Sequence, residues 1–334
     1  MNVATERWLP TGTLPAHASR DGPTAHRVVI GVDFSSASLA AARWTANHLV
    51  PEAELVLVHV VEVPKMPAYL RGIAFAADRM ANRATAKMRV ALTALGDALG
   101  SVRCAIEVRS GRPAEQLHAV AEEHDAELLV IGRAGKRARR VKQLGSTVER
   151  LLRRSAKPVM VAGGALSAAP RRILAAVDEG ELARDVLDWA GRMAARTEAE
   201  SSAAVTALHV TSDALSEYLG ARGGDAAAVT WLKARVCESS LDSATTEIAV
   251  APGDPRHQIL VAADAFESDL IVVGRRGADG AAGTEIGGVA RAVLRPATRA
   301  VLVLPPAHVP RLVTPIAARR RLAFGVVAAQ PIST

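Results

Sequence analysis

The residues best suited to chemistry in this sequence lie in one glycine-rich loop of its first half. The loop begins with Gly132 and Gly135 and, after a basic stretch, reaches Gly145, Ser146 and Thr147. Glycine lets the backbone approach a ligand closely, and the free N–H groups at the start of a helix attract anions. Two hydroxyl donors stand beside those N–H groups. The loop is therefore predicted to bind phosphate.

A second interpretation of the same loop needs no ligand. Ser146 and Glu149 have the spacing of a capping box, in which two side chains satisfy N–H groups at the start of a helix. The complete pattern of two glycines, nine intervening residues and a Gly-Ser pair favours phosphate. One serine can serve both purposes.

The elements that must position this loop occur twice, in the same order. An apolar run ends at Asp33 in the first half and at Asp178 in the second, and a Trp follows eleven residues later in each. A second run ends at His59 and at His209. Three further pairs complete the repeat: Gly111 and Pro113 with Gly253 and Pro255, Leu128–Gly132 with Leu270–Gly274, and Pro158–Val161 with Ala300–Leu304. The order predicts a tandem duplication.

The repeat predicts two domains, at residues 26–163 and 171–305, joined by a linker at 164–170. Residues 1–25, which contain much Pro, Gly, Ser and Thr, are predicted to be a flexible leader, and 306–334 a basic flexible tail. Within each domain, continuously apolar strands alternate with helical patterns. This alternation predicts a doubly wound α/β layer with a parallel sheet.

Doubly wound sheets bind ligands beyond the carboxyl ends of their strands, so residues that follow a strand are candidates. Asp33 can accept a hydrogen bond from an amino group of a ligand. Alternatively it caps a helix that begins near Ser35 and Ser36. His59 and His209 also end strands and are expected to be packed or capping residues.

Composition narrows the classes of partner. The net charge of +7 permits anionic partners, but only 3% of residues are aromatic, which argues against a platform for single-stranded nucleic acid. The basic run from Lys136 to Lys142 is interpreted as a solvated loop beside the phosphate site, and no specific nucleic-acid partner is expected. Cys104 and Cys237 are too few for a disulfide framework or a thiolate metal cage and are expected to be buried free thiols.

Location also follows from simple patterns. No stretch approaches the ~20 apolar residues that a membrane span needs. The N-terminus lacks a basic start followed by an apolar run, so it does not have the pattern of a secretory signal. The sequence predicts no membrane association and a cytoplasmic location.

The spacing Gly-x2-Gly-x9-Gly-Ser after a fourth strand resembles the nucleotide signature of the universal stress protein family. Asp33, the His59-Val60 strand ending and the closing Pro-Val-x-Val run add to the resemblance, which covers roughly 26–305 in two copies. It implies two tandem five-stranded parallel-sheet domains of the Rossmann-like, adenine nucleotide alpha-hydrolase-like fold. It also implies an internal pseudo-dimer in which Pro158–Val161 pairs with Ala300–Leu304. Further homo-oligomerisation stays open.

The resemblance further implies that ATP, with Mg²⁺, is the ligand. Carried onto this sequence, the nucleotide-binding residues are Asp33, Val61, Gly132, Arg133, Gly135, Gly145, Ser146 and Thr147. A second, weaker set consists of Asp178, Gly274, Gly277 and Gly287.

The second copy departs from the pattern because Gly288 stands where the first copy has a hydroxyl. Residues 133–157 contain ten basic side chains and one acidic one, whereas 275–299 contain five and two. A lost hydrogen bond to a charged group weakens binding by roughly 1.5–3 kcal/mol. The first domain is therefore predicted to bind ATP and the second to be mainly structural.

The implied function is stress sensing or regulation, in which nucleotide-dependent conformation is read by unknown protein partners. Two alternatives stay open: a nucleotide-free scaffold and a slow ATPase. The sequence contains no GxSxG elbow, no Walker A loop and no HExxH pair. No catalytic residue and no metal ligand is therefore assigned, and no enzyme activity beyond weak ATP hydrolysis is expected.

Overall fold

The structure is a computed structural model that describes residues 26–49, 53–62, 74–100, 102–135, 144–163, 166, 168–195, 203–211, 221–242, 245–277 and 286–306. The predicted leader, nearly all of the predicted tail and part of the predicted linker lie outside the described residues. The basic run at 136–142 also lies outside them.

Strands and helices alternate along each half, as the sequence predicts. The strands are β1 (Arg27–Gly31), β2 (Glu54–Val61), β3 (Cys104–Ser110), β4 (Leu128–Gly132), β5 (Val159–Ala162), β6 (Arg172–Val177), β7 (Ala204–Thr211), β8 (Thr246–Pro252), β9 (Leu270–Gly274) and β10 (Ala300–Leu304). The helices are α1 (Ser36–Trp44), α2 (Ala74–Ala98), α3 (Pro113–Glu123), α4 (Ser146–Arg154), α5 (Ala183–Ala195), α6 (Ala221–Glu238), α7 (Pro255–Ala265) and α8 (Gly288–Leu294).

The ten strands form one sheet in the order β3-β2-β1-β4-β5-β10-β9-β6-β7-β8. Neighbouring strands within each half are parallel. The predicted pairing of the closing strands is confirmed, because β5 and β10 run antiparallel with Met160 opposite Leu302. The two predicted sheets are therefore one continuous sheet. Joining them removes two strand edges that would otherwise invite unwanted pairing.

Apolar side chains cover both faces of this sheet, which explains why the strands are continuously apolar. Ile30 of β1 and Trp189 of α5 belong to the core on one face, and Val29 of β1 and Leu151 of α4 to the core on the other. Each core contains residues of both halves. The halves therefore share their cores across the β5–β10 junction.

Proline and aspartate residues begin two of the helices, as the sequence predicts. Pro113 and Pro255 occupy the first turns of α3 and α7, where a missing N–H costs nothing. The predicted cap Asp254 accepts a hydrogen bond from the Arg256 N–H at 2.9 Å. These two helices begin the crossovers that lead to β4 and β9.

The two cysteines are free thiols, but they are not both buried. Cys104 is half-buried on β3, and burial, aided by the charge of Asp97, raises the pKa of its thiol. Cys237 is exposed, so the expectation of a buried thiol is wrong there. The reason is that α6 packs through Leu232 and Val236, and the next residue points about 100° away from that face.

Among the helices of the described residues, none is long and apolar enough to cross a bilayer.

Candidate functional site

The strand order of the first half reverses between β1 and β4. Chain segments that leave these neighbouring strands turn to opposite faces of the sheet, which opens a crevice at their carboxyl ends. Asp33 follows β1, Gly132 ends β4, and Gly135 lies three residues further along the chain. The topology therefore brings the predicted acid and the first two predicted glycines to one crevice.

Asp33 and Gly135 lie in close contact there. One carboxylate oxygen, Oδ1, accepts from the Ser35 N–H at 2.9 Å, so the helix-capping role that the sequence allowed is filled in part. Ser35 is itself the N-cap of α1 and accepts from the Ser38 N–H. The other oxygen, Oδ2, would lie 2.5 Å from a Cβ placed on Gly135. Only glycine lets the loop approach this carboxylate so closely.

A histidine supports the turn that carries Asp33. The Nδ1 of His59, near the end of β2, donates to the carbonyl oxygen of Val32 at 2.6 Å. Its ring also lies 5.3 Å from that of Phe34, which adopts a positive φ of 59°. The expectation that His59 is a packed or capping residue is confirmed. His209 repeats the contact in the second half, where its Nδ1 lies 3.0 Å from the Val177 oxygen.

The third predicted glycine begins the helix that follows the loop. Gly145 is the N-cap of α4, with φ −65° and ψ 141°, and no side chain caps the helix. Ser146 is the first helical residue and is exposed, and Thr147 is half-buried. The capping box that the sequence allowed requires Ser146 to be the N-cap, so it is not formed. The Gly145 N–H donates to the Arg133 carbonyl at 3.2 Å and ties the helix start to the loop.

The backbone and the side chain of Arg133 lie in different parts of the structure. Its backbone belongs to the loop, but its guanidinium donates to the carbonyl oxygen of Ala297 in the second half. Burial lowers the pKa of this guanidinium. The side chain therefore bonds to the second half at the junction between the halves. Because Ala297 lies far away in the sequence, local sequence patterns could not predict this contact. Only the backbone of Arg133 lies at the crevice.

Val61 is the last residue of β2 and lies at the same edge of the sheet, one strand away from β1. Its carbonyl oxygen accepts from the Gly111 N–H at 3.0 Å. This hydrogen bond fixes the turn after β3, in which Gly111 has a φ of 134°. Val61 therefore lies near the crevice with its carbonyl oxygen already bonded to Gly111.

The second half repeats the crevice between β6 and β9. A cleft of about 670 Å³ opens there, and its lining includes all four residues of the predicted weaker set. Asp178 faces Gly277 as Asp33 faces Gly135, with the same 2.5 Å to a Cβ placed on the glycine. Gly287 is the N-cap of α8 and also lacks a side-chain cap. The next residue, Gly288, supplies no hydroxyl.

Comparison with known sequences identifies the repeated unit. The sequence model of the universal stress protein family matches residues 24–163 and, a second time, residues 170–305. The chain belongs to the universal stress protein family. Comparison with curated proteins gives no match.

Solved structures extend the likeness to both halves at once. A universal stress protein from Archaeoglobus fulgidus DSM 4304 is 18% identical, with 84% of this chain and 97% of that chain covered and a TM-score of 0.58. A functionally unknown protein from Pseudomonas aeruginosa PAO1 is also 18% identical, with 84% and 93% covered and a TM-score of 0.57. At this identity the likeness concerns the fold, which is the tandem universal stress protein fold described above.

Within this universal stress protein fold, sequence reasoning missed two residues at the crevices. Ser38 is buried under the first crevice, where its hydroxyl accepts from the Asp33 N–H at 3.3 Å. Arg275 lines the second cleft, and its side chain donates to the Leu152 carbonyl of the first half. A signal for Arg275 was present, because a Gly-Arg pair leaves the fourth strand of both halves.

Metal-binding side chains do not gather in the described part of the chain: no group of three or more His, Cys, Asp or Glu residues is placed to hold an ion there. Among the described residues, the crevice of the first half presents backbone N–H groups, the hydroxyls of Ser146 and Thr147 and the carboxylate of Asp33. Such a set suits a phosphorylated ligand better than a bare cation.

Proposed function

We propose that the chain is an ATP-binding universal stress protein. In this proposal the first half binds ATP at the crevice between β1 and β4, and binding changes a conformation that protein partners read as a stress signal. The protein would act in the cytoplasm, where free thiols such as Cys104 and Cys237 stay reduced.

The observation that carries the proposal is the uncapped start of α4. The first N–H groups of a helix have no partner within it, and a side chain normally caps them. Gly145 offers no such side chain, and the exposed hydroxyl of Ser146 stands beside these donors. A phosphate is the ligand that such a helix start attracts. The close contact of Asp33 with Gly135 also supports the proposal, in which Asp33 would accept from an amino group of the ligand in the same crevice.

The proposed ligand fits the residues that the structure describes. The phosphates would meet the backbone at Gly132, Gly135 and Gly145 together with Ser146 and Thr147. Asp33 and the main chain near Val61 would face the nucleoside. Mg²⁺ would arrive with the phosphates, whose charge it neutralises.

The two halves are proposed to differ in affinity. Gly288 gives the second half no hydroxyl, and its segment 275–299 carries five basic and two acidic residues against ten and one in 133–157. Arg256, which lines the second cleft, is held by Asp254 at 2.9 Å. The second cleft is open enough for a ligand, but cleft volume alone supplies no phosphate donors.

Calorimetric titration of nucleotide-stripped protein with ATP and Mg²⁺ tests the proposal. One site per chain is the expected result. Two equal sites would contradict the difference between the halves. Absence of binding by a folded sample would overturn the nucleotide function and favour a scaffold that acts through protein partners.

A substitution of Gly145 provides the non-binding variant for that titration. Valine can adopt the φ of −65° at position 145, so the chain should still fold. Its Cβ would lie 3.3 Å from the Arg133 oxygen, a tight contact that a shift of a few tenths of an ångström relieves. Its side chain would occupy the place where phosphate must approach. Gly145→Val is expected to abolish binding with little change in circular dichroism. Release of inorganic phosphate when the wild-type protein is incubated with ATP and Mg²⁺ would reveal slow hydrolysis.

A further inference from the structure

Two arginines, one from each glycine loop, reach across the junction between the halves; Arg275 is buried and Arg133 is half-buried. Arg275, directly after β9, donates from Nη1 to the carbonyl oxygens of Leu152 and Ser155, both at 2.9 Å. Arg133, directly after β4, donates to the Ala297 carbonyl. The contacts of Arg275 with Ser155 and of Arg133 with Ala297 are related by the offset of 142 residues that separates the two loops. The duplicated fold builds the same contact twice.

Arg275 holds the C-terminal end of α4. The last carbonyls of a helix have no partner within it, and a cation at that end also complements the helix dipole. Arg275 is 9% exposed, and burial lowers the pKa of its guanidinium. A charge is costly in such a place unless hydrogen bonds satisfy it. The two carbonyls of the first half are the partners that the described residues give it.

The opposite end of α4 is the candidate phosphate site. The helix has nine residues and is about 13 Å long, so its two ends move together. Leu151 and Leu152 are buried in the core and fix its rotation. The position of Ser146 and Thr147 at one end therefore depends on what holds the other end.

Arg275 is also tied to the second cleft. Its carbonyl accepts from the Gly287 N–H at 2.8 Å, and its own N–H donates to Leu304 at 2.7 Å. Arg275 lines the same cleft as Asp178. These contacts link the second loop to the residue that bonds to the end of α4 in the first half.

We propose that Arg275 is a positioning residue through which the second half sets the placement of α4 and the nucleotide affinity of the first half. The affinity part of this inference rests on the proposed nucleotide site. It gives the second half, which lacks the hydroxyl at position 288, a regulatory role rather than a purely structural one.

Substitution of Arg275 is the first test. Arg275→Met is expected to weaken binding of ATP with Mg²⁺ about tenfold, within the usual range of coupling between sites. Without nucleotide, it should also speed hydrogen–deuterium exchange in residues 146–154. Arg275→Lys should restore most of both, because one nitrogen makes both hydrogen bonds and an ammonium group has three donors. If the methionine variant does not fold, Arg275→Gln takes its place.

The matched control is Arg154→Met. Arg154 lies in the last turn of the same helix, but it is exposed and pairs with Glu115 at 3.3 Å. Its loss removes a positive charge from the same helix end without touching the junction. ATP affinity and exchange in 146–154 should both stay within about twofold of the wild type. An effect as large as that of Arg275→Met would overturn the inference.

A double-mutant cycle separates positioning from a general structural effect. A Cβ on Gly287 would lie 2.9 Å from the Arg275 oxygen, so Gly287→Ala pushes directly on this residue. Gly287→Ala should change exchange in 146–154 when Arg275 is present and not when it is methionine. An equal change in both backgrounds would contradict the inference. This arm needs no nucleotide, so it decides the positioning role even if no variant binds ATP.

Discussion

The carboxylate of Asp33 lies against the backbone of Gly135, so closely that a Cβ on the glycine would be 2.5 Å from Oδ2. Asp178 and Gly277 repeat this relationship in the second half at the same 2.5 Å. The acid after the first strand and the second glycine of the loop therefore form one unit. Each half contains both members of the unit.

Gly135→Ala tests this unit. The added methyl must displace the Asp33 carboxylate, which also accepts from the Ser35 N–H at 2.9 Å. We expect ATP affinity to fall about tenfold or more, because a hydrogen bond to a charged group is lost or bent. Calorimetric titration measures it. Gly277→Ala makes the same clash in the other half and should lower the affinity less. An equal or larger loss for Gly277→Ala would move the principal site to the second half.

Gly132→Ala should destabilise the fold itself. Its Cβ would lie 2.8 Å from the Ser38 nitrogen and 3.0 Å from the Ala37 carbonyl carbon, both backbone atoms of α1 that cannot rotate away. Overpacking of this kind costs about 1–3 kcal/mol. Urea denaturation gives the free energy of unfolding. Gly288→Ala is the control, because its Cβ meets nothing within 4 Å and should not lower that free energy.

The ionic group around Glu107 makes stability depend on pH. Its carboxylate accepts from Arg109 at 2.7 Å and from the Nε2 of His124. Burial alone would raise the pKa of Glu107, but the hydrogen bonds and charges of Arg109 and His124 outweigh burial and hold the pKa below the ordinary 4.5. The stabilisation is complete above the unfolded-state value of about 4.5 and is lost as pH falls through the lower folded-state pKa.

Glu107→Gln should therefore lower the free energy of unfolding by about 1 kcal/mol at neutral pH. The gap to the wild type should close in acid, since both chains then carry a neutral side chain at this position. Urea titrations across this pH range measure the gap. Glu115→Gln, which breaks more exposed pairs with Arg112 and Arg154, should change stability by less than about 0.5 kcal/mol. If the gap between Glu107→Gln and the wild type stays constant with pH, the stabilisation does not come from the ionised carboxylate of Glu107.

Much of the fold was predictable because the repeat doubled every signal. The pairing of Pro158–Val161 with Ala300–Leu304 was implied by the resemblance to the universal stress protein family, and β5 and β10 form it. Strand order places Asp33 beside the loop glycines, and this too follows from a doubly wound topology.

The paths of individual side chains were less predictable. Arg133 belongs to the loop by sequence, but its guanidinium reaches Ala297, 164 residues away along the chain. Only the antiparallel closure of the sheet brings these residues together. Ser146 and Glu149 have capping-box spacing, but the helix begins at Ser146 with Gly145 as its N-cap. A one-residue difference in a helix boundary decides that case, and sequence patterns do not resolve such boundaries.

Ser146→Ala discriminates between phosphate binding and helix capping. The hydroxyl is exposed and caps nothing, so its loss should change the free energy of unfolding by less than about 0.5 kcal/mol. ATP affinity should fall about tenfold, because one donor to a charged phosphate disappears. A real capping box would give the reverse pattern, with about 1 kcal/mol of lost stability and unchanged affinity. It would also make Ser146→Ala and Glu149→Gln non-additive in stability, whereas two independent side chains give additive losses.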